Sequence, residues 1–181
     1  MYNKKLFYGT DIPQRHRLFE LKDNKDENWL ANYNLLKEKF EQKGIIGLYG
    51  SRGGGKTQAC AVITAMNASN GRKGLYSKAS KIFLKIRDAQ STGALMKTFD
   101  EFSSPHLLII DAFQIRANTE FEYRTLVSII DDRYDAMKPT IIVSNDSPKV
   151  FLEALGDDIS SRMQEGGAMI FFNSTSFRGA K

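Results

Sequence analysis

Gly50-Ser51-Arg52-Gly53-Gly54-Gly55-Lys56-Thr57 decides how this chain is read. It fits G-x-x-x-x-G-K-[ST], with the apolar run Ile45-Ile46-Gly47-Leu48-Tyr49 before it and a helical stretch over about 56–68 after it. That strand–loop–helix context is the one the motif requires. The glycines let successive backbone N–H groups turn inward around an anion, and the helix N-terminus adds the positive end of its dipole. Gly50 to Thr57 are therefore the candidate ATP-binding residues. Lys56 is placed to reach the β and γ phosphates, and the Thr57 hydroxyl to ligate Mg²⁺.

Outward from this loop, short apolar runs alternate with helical stretches. Leu75-Tyr76-Ser77, Leu107-Leu108-Ile109-Ile110, Thr140-Ile141-Ile142-Val143-Ser144 and Ala168-Met169-Ile170-Phe171-Phe172 read as further strands. Helices are predicted near 80–90, 94–102 and 119–136, the last with the stripe Tyr123, Leu126, Val127, Ile130 and Tyr134. Upstream, Trp29, Tyr33, Leu36 and Phe40 recur at helical spacing, while Gly9 to Pro13 reads as a turn and Lys22 to Glu27 as an exposed loop. Continuous apolar strands separated by helices imply a parallel sheet covered on both faces, an α/β fold of five strands.

A metal-bound triphosphate needs a second acid. Asp111 ends the strongest strand, at the edge where ligands bind in open α/β sheets. Asp111 is thus a candidate catalytic residue and, with Thr57, a candidate metal ligand. Ala112 follows, where many phosphate-loop ATPases carry a glutamate that orients the attacking water. Positioned acid–base groups are worth about 10²–10⁴ in rate, so slow hydrolysis is expected unless another group substitutes, for which Gln114, able to orient water, is the candidate.

Composition bounds the rest. The chain has 181 residues, 26 Lys+Arg against 21 Asp+Glu, and a net charge of +5. It carries 41% hydrophobic residues, as an ordinary globular domain does. No apolar run approaches the roughly 20 residues of a membrane span, and the start lacks a signal-peptide pattern, so a cytoplasmic protein with no membrane partner is expected. A lone Cys60 excludes an intramolecular disulfide and a cysteine zinc site; on the apolar face of its helix it reads as core. His16 and His106 have no carboxylate or cysteine neighbours at ligand spacing and are given no site role.

The order of motifs resembles the DnaC/IstB group of AAA+ ATPases, which comprises helicase loaders and transposition helper ATPases. The resemblance runs from about Ile12 to Arg178, and the C-terminal half looks closer to DnaC than to IstB. It is carried by Gly50 to Thr57, Leu107 to Asp111, Ile129 to Arg133 with Lys138-Pro139-Thr140, Ser144-Asn145, Leu155 to Met163, and Phe172-Asn173 with Ser176-Phe177-Arg178. The last two are the more specific. The resemblance implies an additional-strand core without a full C-terminal lid, in a single domain over 1–181 with an N-terminal arm and helix over 1–43 and the phosphate-loop core over 44–181. It implies that Asn145 senses the γ-phosphate, that Arg162 is an arginine finger acting on a neighbouring subunit's ATP, and that Arg178 reads the bound nucleotide; Lys56, Asp111, Asn145 and Arg162 form the catalytic set. Guanidinium groups suit developing phosphate charge.

In this family a strand and helix after the first helix help to line a channel for single-stranded DNA. The matching stretch offers Lys78, Lys81 and Lys85 with Tyr76 and Phe83 interleaved, cations for phosphates and rings for base stacking. About 43 residues precede the first strand, fewer than the helicase-gripping domain of a DnaC-type loader. The expected function is a protein, dependent on ATP and Mg²⁺, that assembles head-to-tail through Arg162 on single-stranded DNA and loads or remodels a replicative helicase. The alternatives are an IstB-like transposition helper on duplex DNA, a nucleotide-gated scaffold with little hydrolysis, and a small-molecule kinase, for which no lid-like insertion is visible.

Overall fold

A computed structural model of the chain describes residues 4–17, 26–113 and 119–173. Its strands are β1 (Ile45–Tyr49), β2 (Gly74–Lys78), β3 (Leu107–Asp111), β4 (Thr140–Val143) and β5 (Ala168–Phe171). Its helices are α1 (Lys4–Tyr8), α2 (Glu27–Glu41), α3 (Lys56–Ser69), α4 (Ala79–Thr92), α5 (Leu95–Ser103), α6 (Glu120–Asp135) and α7 (Pro148–Gly166). The strands pair in parallel in the order β2-β3-β4-β1-β5. The additional strand is β4, which separates β1 from β3. All five strands predicted from the sequence are present, each within about a residue of its expected bounds.

The sheet is buried on both sides, which explains its continuous apolar runs. One face packs on α2 and α3 through Trp29, Leu36, Cys60 and Ile63; the other packs on α4, α6 and α7 through Ile86, Ile130 and Leu155. The stripe Trp29, Tyr33, Leu36 and Phe40 is buried as its spacing predicts. Asp26 caps that helix by accepting the Trp29 N–H at 2.9 Å.

Two helices, the short α1 and the long α7, are additional to those predicted from the sequence. Ser147 and Pro148 start α7 in the usual way, but Gly156 breaks it with φ 74° and ψ 172°. The Tyr123 hydroxyl donates to the carbonyl of Leu155 at 3.2 Å beside that break. A Cβ at position 156 would lie 2.1 Å from the same hydroxyl oxygen. Glycine is needed there for both reasons.

At the amino ends of β3 and β4, Arg133 is fully buried and meets main-chain carbonyls instead of a carboxylate. Its guanidinium donates to Phe102, Ser103, Pro105, His106 and Pro139 carbonyls and to the Thr140 hydroxyl, at 2.7–3.2 Å. Burial pushes its pKa down to about 9. These bonds tie α6 to the loops entering both strands, at the end of the sheet opposite the phosphate loop.

Candidate functional site

The phosphate loop follows β1 and ends at Gly55, whose φ of 86° makes it the cap of α3. Gly50 and Gly53 also have positive φ. The loop is seated from below: a Cβ at Gly50 would come 2.4 Å, and one at Gly54 2.6 Å, from the Phe172 carbonyl oxygen. From the side, the Trp29 indole N–H donates to the Gly55 carbonyl at 3.2 Å. Trp29 and Phe172 meet edge to face with ring centroids 6.4 Å apart.

Lys56 is buried, and its ammonium donates to the carbonyls of Gly50 and Ser51 at 2.7 and 2.8 Å. Burial lowers its pKa, and Asp111 pulls it partly back. A charged amine held this way needs little reorganisation to meet phosphate oxygens.

Asp111 projects from the end of β3. Its Oδ1 accepts the N–H of Ala112 at 2.7 Å, and its Oδ2 accepts the hydroxyl of Tyr76. Ala112 has φ 57°, the left-handed region that L-residues seldom adopt, and Phe113 N–H then returns to the Val143 carbonyl at 2.9 Å. Asn145 lies two residues past the end of β4; Ser144 N–H bonds the Leu48 carbonyl at 2.9 Å, and its hydroxyl accepts the Asp146 N–H at 3.1 Å, which sets that turn.

These groups line one cavity of about 730 Å³, with Arg52, Gly53, Gly55, Lys56, Thr57, Asp111, Ala112 and Asn145 on its wall. Arg15, His16, Gln58, Lys78 and Val143 complete it. The size is that of a small-molecule site, and Arg15, Arg52, Lys56 and Lys78 set against Asp111 suit a polyanion. Thr57 and Asp111 share the wall, a hydroxyl and a carboxylate that together suit a hard cation. The donor set fits Mg²⁺ and a triphosphate.

Arg15 and His16 were not singled out as site residues in the sequence. They come from a 3₁₀ turn over Gln14–His16, and His16 is held through Nδ1 to the Gln58 side chain at 2.8 Å. Only tertiary packing brings that turn to the residue after Thr57.

Other expectations are altered by burial. Phe83 is 4% exposed inside the core under α4, and Tyr76 is buried against Asp111, so neither ring is open for base stacking. Lys78 is the residue before α4 and faces the cavity, apart from the helix surface that carries Lys81 and Lys85. Lys81 lies 3.7 Å from Asp11, and Lys85 pairs with Glu101. Arg162, on the second half of α7, stands outside the cavity lining. Gln114 and Arg178 lie outside the described residues. Cys60 is core, as read.

The model of the IstB-like ATP binding protein family matches residues 19–163. The chain belongs to that family. The replicative helicase loader DnaC of Escherichia coli K12 is 24% identical over 155 residues, which are 83% of this chain and 63% of the loader. This chain thus spans less than two thirds of that relative. An ATP-binding protein in an insertion sequence of Mycobacterium tuberculosis is 28% identical over 101 residues, 56% of this chain and 40% of that protein. Among solved structures, AMPPCP-bound DnaA from Aquifex aeolicus superposes with a TM-score of 0.77 at 22% identity, over 93% of this chain and 53% of that one. The family member has the AAA+ fold, and ATP binding is its family property.

No helix among the described residues is long and apolar enough to cross a membrane.

Proposed function

We propose that this family member is an ATPase that assembles head-to-tail on single-stranded DNA and loads or remodels a replicative helicase in DNA replication. The observation that carries the reading is the division of the catalytic set. The phosphate loop, Asp111 and Asn145 share one cavity, whereas Arg162 stands outside it on α7. A cation outside its own subunit's site is suited to a neighbour's γ-phosphate, which makes assembly depend on ATP. Residues 1–43 act as arm and helix of one domain with the core over 44–181, and Arg178 is assigned the reading of the bound nucleotide.

Mg²⁺ bound by Thr57 and Asp111 would neutralise charge on the β and γ phosphates. With the nucleotide bound, Lys56 would meet the same oxygens, the amides of the phosphate loop would cradle the phosphates, and Asn145 would contact the γ-phosphate. Ala112 presents a methyl group where an acid would orient water, so hydrolysis by the isolated protein is slow and ATP acts chiefly as an assembly switch. On the outer face of α4, Lys81 and Lys85 make exposed ion pairs, which are weak enough for DNA phosphates to displace. The likeness to DnaC over 83% of the chain supports the replication role.

A second reading, a transposition helper on duplex DNA, is favoured by the insertion-sequence relative. Fluorescence anisotropy of labelled single-stranded and duplex oligonucleotides, with and without ATP and Mg²⁺ at fixed salt, separates them. Binding that needs ATP and favours the single strand supports the loader. Duplex preference selects the transposition helper, and no DNA binding leaves a nucleotide-gated scaffold.

A further inference from the structure

Tyr76 stands in the middle of β2, opposite Ile109 in the register that sets Lys78 opposite Asp111. Directly paired residues in a parallel sheet share a face, and side chains two apart on a strand do too. Tyr76, Lys78, Ile109 and Asp111 therefore stand on one side of the sheet, the side covered by α3. Tyr76 is 5% exposed and belongs to the same buried cluster as Cys60 and Ile109. Its main-chain N–H is fixed by the Thr10 carbonyl at 2.7 Å, and Thr10 is itself buried and bonded to the Phe7 carbonyl. A ring held at both backbone and side chain delivers its hydroxyl to a defined point, and that point is Asp111 Oδ2.

Asp111 therefore has a fixed donor on each oxygen, the Ala112 N–H on Oδ1 and the Tyr76 hydroxyl on Oδ2. The Ala112 bond lies within one residue's backbone. By itself it leaves the broad terminal torsion of an aspartate weakly defined. The second donor, from another strand, removes that freedom. An ionised carboxylate offers about four lone-pair sites, so two remain for the cavity.

We propose that Tyr76 is the positioning residue of the metal site, orienting the Asp111 carboxylate so that its remaining lone pairs face the cation that accompanies ATP. This rests on the nucleotide reading above and adds a residue to it. Tyr76 touches neither nucleotide nor metal; it acts through Asp111. Groups that hold a metal ligand in place typically change metal affinity about 10–100-fold when removed.

The test is a binding titration on the full chain with N-methylanthraniloyl-ATP as fluorescent probe. It is run first in EDTA and then against increasing Mg²⁺, for the wild type and for Tyr76→Phe. Phenylalanine keeps the buried ring and removes only the hydroxyl, and a thermal melt verifies the fold. The expected result is unchanged probe affinity in EDTA with a half-saturating Mg²⁺ concentration raised about tenfold. Superimposable Mg²⁺ curves overturn the proposal. Equal weakening with and without the metal also overturns it, because that assigns Tyr76 to packing. A wild type whose probe binding ignores Mg²⁺ overturns it as well. A wild type that binds no probe in either condition overturns instead the nucleotide reading on which the proposal stands.

Discussion

Arg162 Nε lies 2.8 Å from Asp131 Oδ1, an ion pair that joins the second half of α7 to the last turns of α6. Nη1 of the same guanidinium donates a hydrogen bond to the Asp158 carbonyl at 2.8 Å. Both side chains of the pair are about one-third exposed, at 29% and 32%, so the arginine is positioned without being sealed in. A pair of this exposure adds about 1 kcal/mol or less to stability. We predict that Arg162→Ala folds, keeps the monomer's ATP affinity, and loses ATP-dependent self-association in sedimentation velocity. Loss of nucleotide binding by the monomer would place the arginine in its own subunit's site and end the head-to-tail assignment.

Lys78 and the Lys81–Lys85 pair, adjacent in sequence, are separated in function by geometry. Lys78 faces the same cavity as Asp111, while the other two lie on the outer surface of α4. Lys78→Ala is expected to weaken ATP binding roughly tenfold, the value of one charge-assisted hydrogen bond. Lys81→Glu with Lys85→Glu is expected to leave ATP binding intact and weaken DNA binding. Calorimetry for nucleotide and anisotropy for DNA read the two effects separately; equal losses on both ligands from either variant would refute the division.

Replacing Arg133 by methionine should be among the costliest single changes in the chain. The side chain is fully buried, and its loss removes a donor from the carbonyls of Phe102, Pro105 and His106, while Ser103 and Pro139 keep donors from Lys138 and Leu108. Unsatisfied buried acceptors cost about 1–3 kcal/mol each, so a loss of at least about 3 kcal/mol is expected. In a chain of this length that lowers Tm by roughly 10 °C. A melt within a degree or two of the wild type, about 0.5 kcal/mol, would show that the loops relax around the gap.

His106 predicts a pH dependence. Its Nε2 accepts from Arg72 at 3.0 Å, because a guanidinium only donates. Burial, with Arg72 and Arg133 nearby, holds its pKa down to about 4. Between about pH 6.5 and 4 the unfolded chain binds more protons at this site than the folded chain. Stability therefore falls as pH falls through that window, and below it the contribution levels off. His106→Gln, measured by urea unfolding at about pH 7 and about pH 5, should lose less stability on acidification than the wild type. An identical acid loss in both proteins would remove His106 as a source.

Much of this architecture could be read beforehand for a simple reason. A strand buried on both faces must be continuously apolar, so Leu107 to Ile110 announced itself, and a phosphate loop needs its glycines in fixed places. The α7 helix was missed although Phe151, Leu155, Ile159 and Met163 recur every four residues. Gly156 and the acids Asp157 and Asp158 interrupt that stripe and look like a turn. Phe83 is buried, and a ring between lysines on a helix is the same pattern whether it stacks on a base or anchors the helix. Burial decides that, and burial is tertiary. Arg15 and His16 reach the cavity by a path across the fold that no local spacing records.

The Phe172 carbonyl beneath Gly50 and Gly54 has a consequence for biosynthesis. The loop that would hold ATP is made early, yet the residue on which it rests lies more than a hundred positions later. Chains emerge from the ribosome N-terminus first, so a nascent chain shorter than this residue carries a complete phosphate-loop sequence without its seat. A nucleotide held by the loop would therefore favour chains in which β5 has docked over those in which it has not.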